Sequence, residues 1–217
     1  MSENEENYYV ISYNSTEAGC PVSMAGFFNC QKFEWDPYES NPEKLDIKHH
    51  YSLELTSLDL DLDLDFGSLD FDFYQVGAIY VSKKFLDVCD SVGAKYRAVP
   101  FDLKSGNKIR QGEFFIFLPG ESLAAMDKER SIYEVSKDIE SGLIINSPLY
   151  PGSVSIDKID LFVVSKSVKS DIFRCQETLE LFCSERFLLA ASDLKGISFG
   201  KVDSFYKYDP WAELDEL

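Results

Sequence analysis

Four aspartates at two-residue spacing, Asp59, Asp61, Asp63 and Asp65, alternate with leucines and end at Phe66. Asp70 and Asp72 follow, next to Phe71 and Phe73. Carboxylates grouped this way could hold a hard cation, act as acid and base, or meet the cationic groups of another macromolecule. On a straight strand, alternate residues share a face about 6 to 7 Å apart, so the row cannot wrap one ion. A calcium loop beginning at Asp59 also fails. Leu64 occupies the position that needs glycine, and Asp70 stands where a bidentate glutamate belongs. No metal and no other cofactor is therefore expected. Two readings of the row stay open: a solvated face, and a docking surface for lysines and arginines. Like charges this close repel, and a cationic partner would relieve the repulsion while speeding association. Asp59, Asp61, Asp63, Asp65, Asp70 and Asp72 are the candidate partner-binding residues. Phe66, Phe71, Phe73 and Tyr74 could anchor such a partner, although core is the commoner role for at least half of them.

Other reactive groups give no catalytic constellation. His49 and His50 are the only histidines. Being adjacent on a strand, they face opposite ways, so at most one could serve a given site. His-Glu-x-x-His and the phosphate-binding glycine loops do not occur. Cys183-Ser184 falls at a predicted strand-to-helix junction, where a thiolate could be stabilised. A helix cap by Ser184 explains the same residues. No catalytic residue is expected, and the protein is read as a non-enzyme.

The charge is unevenly spread. The 217 residues carry a net charge of -17, of which residues 1–74 contribute -13 and the remainder -4. That balance repels nucleic acid and anionic membranes, attracts cationic proteins, and exceeds what solubility needs. The start of the chain, Met1 to Asn7, is acidic and polar, without the features of a signal peptide, and no apolar run approaches spanning length. Five cysteines without metal-type spacing read as reduced thiols. A cytoplasmic location follows. An exposed Asp-rich strand disfavours edge pairing with its own copy.

The elements that must position these residues are mostly strands. Tyr8–Tyr13 reads as a first strand and 14–48 mainly as loop. His49–Leu55 reads as a strand leading into the Asp/Leu run, and Gly67-Ser68 as the turn of a hairpin between Leu58–Phe66 and Leu69–Tyr74. Ala78–Val81 precedes a helix at Lys83–Ser91 capped by Ser82. Glu185 to about Ala191 is a second helix, capped by Ser184. Further strands are expected at Lys95–Leu103, Phe114–Leu118, Ile159–Val164, Ile172–Arg174, Leu179–Cys183 and Ile197–Phe199, with weaker signals at Ile132–Val135 and Leu143–Ile145. Val81-Ser82-Lys83-Lys84-Phe85-Leu86 parallels Cys183-Ser184-Glu185-Arg186-Phe187-Leu188. That echo is either a repeated strand-helix-strand unit or the chance likeness of capped amphipathic helices. The expected class is α+β, strand-rich with mixed sheets and few short helices. Residues 1–75 are expected as an acidic strand-containing region packed on an α+β domain at 76–208, with an acidic tail at 209–217. Arg174 is expected to be structural, ion-paired with Asp171 or Glu177.

These residues also carry a resemblance. Val81-Ser82-Lys83-Lys84-Phe85, then Val99-Pro100, Ile172-Phe173-Arg174, Cys183-Ser184-Glu185-Arg186-Phe187 and Leu194-Lys195-Gly196-Ile197-Ser198-Phe199 occur in that order across residues 79–199. The series resembles a bacterial polymorphic-toxin immunity family whose type member is myxobacterial. The Asp/Leu run is not part of its pattern. The resemblance implies a cytoplasmic immunity protein that binds and neutralises a cognate toxin of interbacterial competition. It brings no catalytic residues. A nuclease is one toxin class that fits, because a nuclease channel must be basic to hold phosphate. The competing functions are an adaptor or structural protein for another cellular partner, and an enzyme of unknown class.

Overall fold

The computed structural model describes residues 6–36, 47–59 and 66–212. The strands are β1 (Tyr8–Tyr13), β2 (Ser23–Phe28), β3 (Tyr51–Asp59), β4 (Phe73–Val76), β5 (Ala78–Ser82), β6 (Tyr96–Ser105) and β7 (Lys108–Pro119). They continue with β8 (Ser122–Leu123), β9 (Ile132–Val135), β10 (Ile156–Leu161), β11 (Ile172–Cys175), β12 (Leu181–Ser184) and β13 (Ile197–Lys201). Two helices, α1 (Lys83–Ser91) and α2 (Glu185–Ala190), interrupt them. The class is α+β. One sheet has the order β2-β3-β6-β7-β5-β4 and another the order β13-β1-β12-β11-β8, while β9 and β10 form a two-stranded ribbon.

Side-chain alternation divides the apolar residues into three layers. In β5, Ile79 and Val81 enter a central core, while Tyr80 packs with an outer one. In β7, Phe117 faces the centre, and Phe114, Ile116 and Leu118 face outward. Strand β1 behaves likewise: Ile11 joins the central core, and Tyr8 and Val10 join a third cluster with Phe162, Phe173 and Phe182. The central core thus lies between the two larger sheets and takes both helices. The rings of Phe85 in α1 and Phe187 in α2 meet edge to face at 5.7 Å.

Both helices begin in the same way. Ser82 Oγ accepts from the Phe85 amide at 3.4 Å and donates to Asp72 Oδ1 at 2.6 Å. Ser184 Oγ accepts from the Phe187 amide at 3.2 Å and donates to Asp171 Oδ1 at 2.6 Å. In each case the serine amide donates to the carbonyl of the same aspartate, at 3.0 Å. A cation two residues after the serine closes both boxes. Lys84 Nζ lies 4.0 Å from Asp72, and Arg186 Nε donates to Asp171 at 2.9 Å. A second Arg186 nitrogen reaches the Val92 carbonyl at the end of α1.

The sheet order repeats with the boxes. β4-β5-β7-β6 corresponds to β11-β12-β1-β13, and every adjacent pair within each set is antiparallel. The echo at two serine caps is therefore a repeated strand-strand-helix-strand unit. In the first unit the inserted strand β7 follows β6 through a hairpin. In the second the same place is filled by β1, from the other end of the chain. The N-terminal segments are thus interleaved with the rest, β1 inside one sheet and β2 and β3 in the other.

Gly196 joins the two units. Its φ is +76, and a Cβ there would stand 2.6 Å from the Phe73 carbonyl oxygen, so only glycine fits. The neighbouring Lys195 amide and carbonyl bond to Asp72 and to the Asp72 and Phe73 amides.

Of the expected hairpin between Leu58–Phe66 and Leu69–Tyr74, residues 60–65 lie outside the described residues, and the described part is paired otherwise. Gly67 and Ser68 lie in a 3-10 turn, β4 pairs with β5, and β3 pairs with β2 and β6. The alternation after Ser68 instead sends Leu69 and Phe71 into the outer core, where Phe71 stacks on Phe114 at 4.6 Å, and carries Asp72 to Ser82. The two acids expected to pair with Arg174 are engaged elsewhere. Asp171 is taken by Arg186 and Ser184, Glu177 accepts from the Ala125 and Met126 amides, and Arg174 donates to the Leu179 carbonyl at 3.2 Å. The hairpin turn before β12 leaves that carbonyl within reach of the guanidinium.

Burial pushes the Asp171 carboxyl up, but the bonds from Arg186 and Ser184 outweigh it and hold it below the ordinary value. Folding therefore favours the ionised form. The contribution is complete above the unfolded value of about 3.9 and is lost as the pH falls through the lower folded value. Asp171→Asn should cost about 2 kcal/mol at pH 7. Urea titrations from pH 7 down to pH 2 should show the gap between variant and wild type closing only in the acid range.

Candidate partner-binding surface

The Asp/Leu run leaves the end of β3. Asp59 is the last residue of that strand and sits opposite Ser23 of β2, the outermost strand of the six-stranded sheet. Asp61, Asp63 and Asp65 lie outside the described residues. The chain re-enters the described fold at Phe66, which is buried, as are Leu69, Phe71, Phe73 and Tyr74. All four aromatics considered as anchors are core residues. The sheet edge thus delivers the run, and a firmly packed segment receives it.

The two later aspartates separate sharply. Asp70 is exposed and forms an ion pair with Lys195, and that contact raises the lysine pKa. Asp72 is only 3% exposed. Its oxygens accept from the Ser82 hydroxyl and the Lys195 amide. It belongs to the capping box and has no face to offer a partner. Ser82 and Ser184 are helix caps, as described above.

The remaining polar groups do not converge. His50 Nε2 pairs with Asp102 at 2.8 Å, while the His49 ring packs against Tyr51 with centroids 4.7 Å apart. The Cys183 thiol, at the strand-to-helix junction, is fully buried and its pKa is pushed up by that burial, the opposite of an activated nucleophile. Cys20 is likewise pushed up to about 11. Among the described residues no group of three or more His, Cys, Asp or Glu side chains is arranged to hold a metal ion. An open groove of about 670 Å³ runs beside Tyr8, Phe162 and Val164 and carries Lys166, Lys169 and Lys201 on its walls. It contains neither histidine nor cysteine. Among the described residues no helix is long and apolar enough to cross a membrane.

One surface feature escaped the sequence reading. Leu143–Ile145 carries a weak strand signal in the sequence, and in the structure only Ile144 makes a bridge there. All three side chains are exposed, and so is Ile139. An aliphatic run between Gly142 and Asn146, away from any second apolar segment, was the signal available.

The chain belongs to the Imm11 immunity protein family, whose sequence model matches residues 67–204. It is an immunity protein by family, and such a protein binds a cognate toxin. The match includes both capping boxes, Gly196, Asp70 and the exposed aliphatic run, while Asp59–Asp65 falls before it. No curated protein matches the chain.

The two aspartates give a direct comparison. Asp70→Ala removes an exposed ion pair and should leave the melting temperature within about 1 °C of wild type. Asp72→Ala strands the Ser82 hydroxyl and the Lys195 amide and should lower it by about 5 °C. Thermal melts by circular dichroism would check both.

Proposed function

We propose that this protein is a cytoplasmic immunity protein that neutralises a cationic toxin of interbacterial competition. It does so by laying its acidic edge over the toxin's active or substrate-binding surface. The observation that carries the proposal is family membership over residues 67–204, joined to a net charge of -13 in residues 1–74. Asp59, Asp61, Asp63, Asp65 and Asp70 form the proposed contact set, and Asp72 is left out because it is buried. A nuclease is the toxin class this favours. Its substrate channel must be basic to hold phosphate, and a row of carboxylates at regular spacing competes for the same cations. Nucleic acid and anionic membranes are not partners on this reading, because the same charge repels them.

Mechanistically the acidic face acts twice. At long range it steers a cationic partner, which raises the association rate at low salt. In the complex, toxin lysines and arginines relieve repulsion among the aspartates. No bond is made or broken, so the chain needs no catalytic group.

Replacing Asp59, Asp61, Asp63 and Asp65 together by Asn tests the reading. Stopped-flow association with the toxin should fall about tenfold or more at low salt, and the salt dependence should flatten. Folding should be unaffected. An unchanged rate would move the contact off this face.

A further inference from the structure

The chain between β9 and β10 forms a projecting arm. Lys137 bridges to Ile144 and Asn146 to Val154. The Ser136 amide donates to Ser155, Ile145 to Ser136, and Ser155 to Ile145, each at 2.9 Å. At the tip the Asp138 amide donates to the Leu143 carbonyl at 2.9 Å, and the Gly142 amide to the Asp138 carbonyl at 2.8 Å. Gly142 supplies the positive φ of +68 that this turn requires. Asp138 Oδ1 also accepts from the Ser141 amide at 2.7 Å and hydroxyl at 2.6 Å. The base is fixed by buried Ile159 and by Tyr150, whose hydroxyl lies 3.2 Å from that of Ser122.

This ordered tip holds its aliphatic side chains in water. Ile139 is 100% exposed, Leu143 69%, Ile144 54% and Ile145 42%. Four large aliphatics within seven residues, held by a hydrogen-bonded turn, cannot collapse onto one another as they could in a loose coil. Such a patch marks a contact with another molecule. Asp138 and Glu140 are exposed beside the tip, against Lys137, while Glu134 at the base of the arm lies across the ribbon from Lys158. An apolar centre with an acidic rim suits a cationic partner that offers an apolar depression. A second copy is disfavoured, because each copy carries a net charge of -17.

We infer that the tip formed by Ile139, Leu143, Ile144 and Ile145 inserts into an apolar cleft of the cationic toxin and is the short-range anchor of the complex. This rests on the immunity function proposed above. It divides the labour: the Asp row governs encounter, and the arm governs residence. The turn is already formed in the free protein, so binding does not have to order it.

The experiment uses the full chain and, as probe, the toxin protein encoded by the adjacent gene, with binding followed by biolayer interferometry. The triple variant Ile139→Ser, Leu143→Ser, Ile144→Ser should bind about 100-fold more weakly, chiefly through faster dissociation, with a melting temperature no lower than wild type. On the wild-type complex, hydrogen exchange should show new protection across residues 138–146. Tight wild-type binding that the triple variant retains, or an arm that gains no protection, would overturn the inference and leave the immunity function standing. Absence of wild-type binding would overturn both. A dimer of the chain seen by sedimentation and abolished by the triple variant would assign the arm to self-association and overturn the inference.

Discussion

The structure depends on a short hydrogen bond between a carboxylate and a serine that begins a helix, made twice, with Asp72 buried and Asp171 half-buried. A serine hydroxyl can accept from a helix amide with its lone pairs and still donate a hydrogen bond. Asp72 and Asp171 accept that hydrogen bond through Oδ1 at 2.6 Å. The carboxylate therefore fixes the direction of the cap, and through its own backbone it fixes the strand that runs back beside the helix start. Lys84 and Arg186 supply the opposing charge. Removing water from these acids would be costly without that full set of partners. Sheet, turn and helix meet at one point in each unit, and the two helices then bring Phe85 against Phe187.

Much of this was legible locally, and the exceptions have physical causes. Ser82 and Ser184 announced the helix starts, because capping is decided within four residues. Aromatic and β-branched runs such as Phe114–Leu118 announced strands for the same reason. The Asp72–Ser82 and Asp171–Ser184 bonds were not legible, since nothing in the sequence states that two strands will carry those residues together. Asp72 consequently read as a surface acid beside Asp70. The alternation of acid and apolar residues is the same on either side of Ser68, yet Leu69 and Phe71 are claimed by Phe114 and its neighbours rather than by a hairpin partner.

The functional surfaces draw on different parts of this scaffold. The acidic run follows β3 in sequence, outside the residues that match the immunity family. The arm springs from the β9–β10 ribbon, inside them. On the reading proposed here, charge that acts over a distance and apolar area that acts on contact are held by separate elements. One can therefore change without disturbing the other. The two serine caps fix the frame, and they keep Asp72 and Asp171 for internal bonds.

The placement of β1 has a consequence for biosynthesis. Tyr9 pairs with Cys183 on one side and with Lys201 on the other. During translation this strand waits for both of its strand partners until residues 181–201 have left the ribosome, about 170 residues later. The first unit, whose β6–β7 hairpin is contiguous, can assemble while synthesis continues. The second must wait, and its late closure gives the molecule a high contact order and slow final folding.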